Sequence, residues 1–247
     1  MSSKKYQLTI QYDGSDFHGW QVQAEGRTVQ GDIETALMAI YPEEKISLIG
    51  SGRTDAGVHA LAQVAHVELP VHLSPPELRQ ALNGNLQRDV WIESAKEAED
   101  NFHARFSATA REYEYRFVKV FSPVTRNYTT HLKWEIDKNL LKECAELLHG
   151  KHDFTSFCKA TAEVENKNCT IFYSNWDESE EKLIFNIKAN RFLQHMVRFL
   201  VGTMVEVGRG RYSVDDFSQF VNGGHPKLAV VRAPAHGLFL KKVIYEA

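Results

Sequence analysis

Tyr6-Gln7-Leu8-Thr9-Ile10-Gln11-Tyr12-Asp13-Gly14 alternates large apolar and polar residues and ends on a turn dipeptide, which is the pattern of a half-buried strand. From Thr28 the period changes. Val29, Ile33, Leu37 and Ile40 recur at helical spacing, with Thr28 placed to cap the first turn, and residues 46–49 then read as a short buried strand. Ala65, Val67 and Leu69 alternate with His66 and Glu68, and Ser74-Pro75-Pro76-Glu77 has the form of a capping box opening a helix through Leu78 and Leu82. A second set follows. Tyr113, Tyr115 and Phe117 alternate with Glu112, Glu114 and Arg116, which puts three rings on one face of a strand. Residues 140–148 read as a helix and 183–189 as a strand. Phe192, Met196, Phe199 and Leu200 form the apolar stripe of a long helix reaching Val207, and a helix over 214–221 precedes a closing strand over 238–245. Two sets of mixed strands and helices predict an α+β protein of two halves, residues 1–105 and 106–247, with no sequence repeat visible between them.

Composition narrows the class. With 43% apolar and 25% charged residues over 247 positions, a packed core is expected, and no run approaches the length of a membrane span. The expectation is a soluble, cytoplasmic protein. Cys144, Cys158 and Cys169 are odd in number and lack a C-x-x-C partner, so they read as reduced, buried small hydrophobes and not as a disulfide or zinc framework. The formal charge of −3 means that any nucleic-acid footprint must be local. Two basic stretches qualify. One holds Arg105, Arg111, Arg116, Lys119, Arg126 and Lys133 against Glu112 and Glu114; the other holds Arg191, Arg198, Arg209 and Arg211 against Glu206. Acids collect instead at 93–100 and 177–181, which read as solvated turns.

The loop Gly50-Ser51-Gly52-Arg53-Thr54-Asp55-Ala56-Gly57 is the most unusual segment, because its glycines allow tight backbone that carries Arg53 and Asp55 close to a ligand. The alternative is a plain turn with Asp55 capping backbone and Arg53 solvated. Arg191, His195 and Arg198 fall at i, i+4 and i+7, a cationic helix face opposite the apolar stripe. Phe102-His103-Ala104-Arg105-Phe106 interleaves aromatics with cations, a composition suited to stacking on unpaired bases and equally to an ordinary strand.

These segments together resemble the tRNA pseudouridine synthase A family over nearly the whole chain. The resemblance is carried by Tyr12-Asp13-Gly14, Phe17-His18-Gly19-Trp20-Gln21, Thr28-Val29-Gln30, Ser51-Gly52-Arg53-Thr54-Asp55-Ala56-Gly57-Val58-His59-Ala60, the runs 102–113 and 192–198, and Ala233-Pro234-Ala235-His236-Gly237-Leu238. It implies a pseudouridine synthase fold: two related ferredoxin-like α+β halves with joined, mainly antiparallel sheets around a central cleft. The first half carries the catalytic Asp loop and the second completes the cleft. It implies isomerisation of uridine at positions 38–40 of the tRNA anticodon stem-loop, with Asp55 as catalytic nucleophile, Arg53 and Tyr113 beside it, and Arg198 pairing with its carboxylate. Leu238 becomes the apolar residue beneath the base, and Phe102, His103, Ala104, Arg105 and Phe106 a tRNA-contacting strand. A homodimer with tRNA across both subunits, no membrane association, and neither metal nor organic cofactor complete the expectation. Whether Asp55 attacks C1′, attacks C6 or removes the 2′ proton is left open. A non-catalytic tRNA-binding or tRNA-folding protein using the same cleft is the rival reading. Two segments depart from the family pattern: residues 160–169 carry Glu163, Glu165, Lys167 and Cys169 where relatives tend to carry arginine and serine, and Leu86-Gln87-Arg88-Asp89 replaces Leu-Pro.

Overall fold

The computed structural model describes residues 3–159, 165–224 and 227–245. The chain divides into two compact units, residues 1–109 with 240–247, and residues 110–239. Both mix helices with mainly antiparallel strands, so the protein is α+β.

In the first unit β1 (Ser3–Tyr12), α1 (Val29–Ile40), β2 (Ile49–Gly50), β3 (His59–Pro70), α2 (Pro75–Asn85) and β4 (Val90–Glu97) follow one another. β1 pairs antiparallel with β3 on one side, Tyr6 opposite Val67, and with β4 on the other, Ile10 opposite Ile92. The alternation of β1 buries Tyr6, Leu8, Ile10 and Tyr12. Thr28 accepts the Gly31 amide at 3.3 Å to start α1, whose Val29, Ile33, Ala36 and Leu37 are buried. Ser74 donates its amide to the Glu77 carboxylate at 2.8 Å to start α2, which buries Leu78 and Leu82.

The second unit holds β5 (Ala108–Val118), β6 (Thr130–His131), α3 (Lys138–Glu146), β7 (Gly150–Asp153), β8 (Asn168–Glu178), β9 (Lys182–Ala189), α4 (Met196–Gly208) and α5 (Val214–Val221). Strand order is β5-β9-β8-β7, all antiparallel, with the short β6 parallel to β5. Asp137 and Ser213 cap α3 and α5 with their side chains. The closing strand β10 (Leu238–Tyr245) returns to the first unit from residue 240 and lies beside β3. No helix among the described residues is long and apolar enough to cross a membrane.

Four local expectations change. Residues 46–48 form no strand, and side chains take up the Leu48 backbone instead: Glu34 accepts the Leu48 amide at 3.1 Å and Gln30 donates to the Leu48 carbonyl at 3.1 Å. The acids at 93–97 lie in β4, whose Val90 and Ile92 are buried while its charged residues line a sheet edge, where charge discourages pairing with another chain. Residues 102–106 are a turn and not a strand, since the His103 ring accepts the amides of Arg105 and Phe106 at 3.2 and 3.3 Å. The long helix begins at Met196 and not at Arg191. The Gln194 carbonyl is taken by the Lys159 amide at 3.1 Å, and His195 turns left-handed with φ 66°. Arg191 and His195 therefore share no helix face with Arg198.

Candidate functional site

Asp55 sits half-buried in the loop between β2 and β3, with Arg53 exposed two residues earlier. The loop is held by its own buried residues. Ser51 donates to Gln63 at 2.7 Å, Gln63 reaches back to the Gly52 carbonyl at 3.0 Å, and Thr54 shares a hydrogen bond with the Tyr12 hydroxyl at 2.8 Å. A second loop, residues 13–20, packs against it backbone to backbone. Trp20 donates its amide to the Thr54 carbonyl at 3.2 Å, and Gly57 donates to Phe17 at 3.3 Å. The glycines permit this approach: a Cβ on Gly19 would lie 2.7 Å from the Thr54 carbonyl oxygen, and one on Gly14 would fall on the Val58 carbonyl. The Gly14 amide is received by His59 Nδ1 at 3.0 Å. Asp55 itself accepts the Val58 amide on its carbonyl at 3.2 Å, so the backbone at the carboxylate is fixed on both flanks.

Arg27 ties this frame to α1 and to the 86–89 segment. Its guanidinium donates to Asp32 at 2.8 Å and to Asp89 at 2.9 Å and covers the Phe17 ring at 4.3 Å. The Asp89 hydrogen bond, and then Asp32, hold the Arg27 pKa above its usual range. The departing segment thus supplies a buttress.

The 102–106 turn lies in the same unit. Its Ala104 is wholly buried and held from two sides, its amide given to His66 Nδ1 at 3.1 Å and its carbonyl receiving the Tyr245 hydroxyl at 2.8 Å. Phe102 packs against the Tyr245 ring at 5.2 Å. Phe106 stands 75% exposed, with the His103 ring 4.4 Å away and the Arg105 guanidinium 5.5 Å from its centroid. Phe102 and Ala104 thus anchor the turn, while His103, Arg105 and Phe106 make an aromatic and cationic edge able to stack on a base and meet a phosphate.

Tyr113, Arg198 and Leu238 belong to the second unit. Tyr113 on β5 is half-buried, its ring edge-on to Phe192 at 5.1 Å. Arg198 stands in the first turn of α4, and its Nε donates to the Ala233 carbonyl at 2.9 Å, while the Ala233 amide donates back to the Arg198 carbonyl at 3.0 Å. Leu238, 5% exposed, opens β10 just after that segment. The other basic residues are largely committed elsewhere. Arg209 and Arg211 pair with Glu206, Arg209 lies 3.4 Å over Trp134, and Arg116 donates to Glu114 at 2.7 Å and covers Phe239 at 3.7 Å. In the less basic segment, residues 160–164, with Glu163, lie outside the described residues. Cys169 lies in β8, and the Lys167 carbonyl accepts the Phe154 amide at 3.1 Å.

The family model described as tRNA pseudouridine synthase matches residues 8–107 and 144–246. The chain belongs to that family. It is 40% identical over 246 residues to the tRNA pseudouridine synthase A of Geobacillus sp. (strain WCH70), covering 99% of each chain. It is also 40% identical over 248 residues to that of Latilactobacillus sakei subsp. sakei (strain 23K), covering 99% of this chain and 100% of the relative. Among solved structures, "Structure of H/ACA RNP bound to a substrate RNA containing 2'-deoxyuridine" overlays at TM-score 0.35 with 12% identity, over 81% of this chain and 44% of that one, a likeness too slight to build on. This synthase is therefore an isomerase that acts in tRNA processing. The matched stretches hold Arg53, Asp55, the 102–106 turn, Arg198 and Leu238, and leave out Tyr113.

What the residues alone did not reveal is the framing of this synthase's loop by Tyr12, Gly14, Gly19 and Trp20, and the roles of His66 and Tyr245 behind the turn. The paired glycines ahead of α1 were the available signal. Gly14→Ala is expected to cost about 2–4 kcal/mol in denaturant unfolding, because backbone must move. Gly52→Ala, where an added Cβ meets nothing within 4 Å, should stay within about 1 kcal/mol of the parent. Burial, and then His103, push the His66 pKa down to about 4 from 6.5, so the unfolded chain binds this proton first as pH falls. Stability on this account is complete above about pH 6.5 and declines toward pH 4. His66→Asn, whose side-chain carbonyl can accept the Ala104 amide, should show a decline smaller by about 1–2 kcal/mol in unfolding titrations across that window.

Proposed function

We propose that this synthase converts uridine to pseudouridine at positions 38–40 of the tRNA anticodon stem-loop, with Asp55 as the nucleophilic carboxylate. The observation that carries this reading is the glycine-built frame around Asp55. A carboxylate whose backbone is pinned on both flanks needs little reorganisation to meet a flipped nucleotide. Isomerisation breaks the N1 to C1′ bond, turns the uracil and joins C5 to C1′, so the detached base must be kept from escaping. Arg53 is assigned to the neighbourhood of the carboxylate, Arg198 to pairing with it and orienting it, and Tyr113 to stacking on the base or relaying a proton. Leu238 supplies apolar contact to the base. The first half thus brings the nucleophile and the second completes the cleft, in a cytoplasmic homodimer that binds tRNA across both subunits.

His103, Arg105 and Phe106 are assigned to tRNA contact, with Phe102 and Ala104 holding them in place. Support comes from Phe106, since a large aromatic so exposed beside a guanidinium suits an unpaired base.

The test is release of tritium from uracil C5 in an unmodified tRNA transcript, since joining C5 to the sugar expels that hydrogen. Wild-type protein should release it and Asp55→Asn should release none while still retaining tRNA in a filter assay. Retention without release by the wild type would favour a binding protein instead. Phe106→Ala should weaken tRNA binding by roughly 5- to 100-fold, in line with the loss of one stacked base, with an unchanged melting curve.

A further inference from the structure

We infer that Tyr115 is a positioning residue of this synthase: its buried hydroxyl, together with Thr130, locks the segment 233–238 and thereby fixes the direction in which Arg198 presents its guanidinium. The inference rests on Arg198 serving the reaction, as proposed above. Tyr115 is fully buried on β5, two residues beyond Tyr113. Its one hydroxyl proton goes to the Pro234 carbonyl at 2.9 Å, so across the 2.7 Å contact with Thr130 Oγ1 the threonine donates. Thr130 Oγ1 lies in turn 3.3 Å from His236 Nε2. A side chain from β5, one from β6 and one from the segment itself therefore meet in a single chain of hydrogen bonds.

That chain acts on the acceptor of Arg198. Ala233 and Pro234 are successive residues, and their carbonyls are held by Arg198 Nε and by the Tyr115 hydroxyl respectively. Proline restricts the backbone between them. The segment has little slack at either end. Upstream, the Val231 amide donates to Thr203 Oγ1 on α4 at 3.0 Å, and a Cβ on Gly202 would fall on the Val231 carbonyl. Downstream, the Gly237 carbonyl accepts the Arg116 amide at 2.8 Å, and a Cβ on Gly237 would lie 2.7 Å from the Tyr115 ring. Since Nε is engaged with Ala233, a carboxylate partner of Arg198 is met by its Nη groups, whose direction follows from where the Ala233 carbonyl sits.

The protonation states suit a fixed scaffold. Burial pushes the Tyr115 phenol well above its usual range, and burial followed by the Arg198 charge holds the His236 pKa below its ordinary value. Tyr115 is therefore a neutral donor, and no second cation forms beside Arg198 near neutral pH. Removing one hydroxyl from such a chain shifts a guanidinium without disturbing phosphate contacts, so the loss belongs in turnover and not in tRNA binding.

The test compares kcat and KM by C5-tritium release for Tyr115→Phe, Thr130→Val, Thr130→Ser and Arg198→Lys, with melting curves alongside. Tyr115→Phe and Thr130→Val should each lower kcat tenfold or more with KM within twofold. Thr130→Ser, which keeps the hydroxyl, should stay within twofold of wild type. Tyr115→Phe added to Arg198→Lys should lower kcat by no more than a further twofold. Unchanged kcat in Tyr115→Phe, a change in KM alone, Thr130→Ser as slow as Thr130→Val, or a full further tenfold loss in the Arg198→Lys background would each overturn the inference. Wild-type kcat in Arg198→Lys would sink the reading of Arg198 and the inference with it. A slow Arg198→Lys beside a fully active Tyr115→Phe would sink the inference alone. Should Tyr115→Phe fail to fold, the Thr130→Val and Thr130→Ser pair decides on the same criteria.

Discussion

Two stretches of polypeptide can lie backbone against backbone only where no Cβ stands between them, and the loops 13–20 and 54–58 meet on those terms. Gly14 and Gly19 leave the room, and Trp20 and Gly57 form the cross-loop hydrogen bonds. Everything near Asp55 follows from that contact. Tyr12 can reach Thr54 because β1 delivers the chain into the loop beside β3, and Arg27 closes the outside of the frame by clamping Phe17 against Asp32 and Asp89. A carboxylate carried on a mobile loop would have to be ordered by whatever it met; the loop carrying this one is ordered by folding.

The second unit reaches a similar end by different means. The helix bearing Arg198 starts only after His195 has adopted a left-handed backbone, a conformation that a non-glycine residue keeps only when its surroundings impose it. The Gln194 carbonyl bonded to Lys159 and the Ala233 amide bonded to Arg198 are those surroundings. Arg198 therefore stands in the first turn, facing a strap that it both donates to and accepts from, and not in the middle of a cationic helix face.

Charge follows the same logic. A protein with a formal charge of −3 does not bind RNA through a broadly positive surface, and several of its arginines are occupied with Glu206, Glu114, Trp134 or Phe239. Sequence stretches that look basic are thus partly internal. The exposed cations beside aromatics, Arg105 with Phe106 foremost, are the local positive features suited to nucleic acid. The three cysteines are buried and reduced, with burial pushing the Cys144 thiol up to about 12 and Cys169 up to about 11, so they serve as packing.

Local rules were enough for the elements whose backbone partners lie within themselves or in one obvious neighbour. The alternation 6–12, the capped starts at Thr28 and Ser74, the helix 214–221 and the strand 238–245 could be read directly, because period and capping chemistry are written in adjacent residues. The Asp55 loop was recognisable by its glycines and by family resemblance. Where distant side chains take over the backbone, adjacent residues are silent. Glu34 and Gln30 hold Leu48 out of the strand expected at 46–49, of which only Ile49 pairs, His103 folds 102–106 into a turn, and Lys159 delays α4. The class of fold and the family were legible in the order of residues alone, since these depend on pattern and on residue chemistry. Which carbonyl each donor holds, and hence how the Asp55 loop and the Arg198 side chain are held, emerged only on folding, because that depends on partners tens of residues away in the chain.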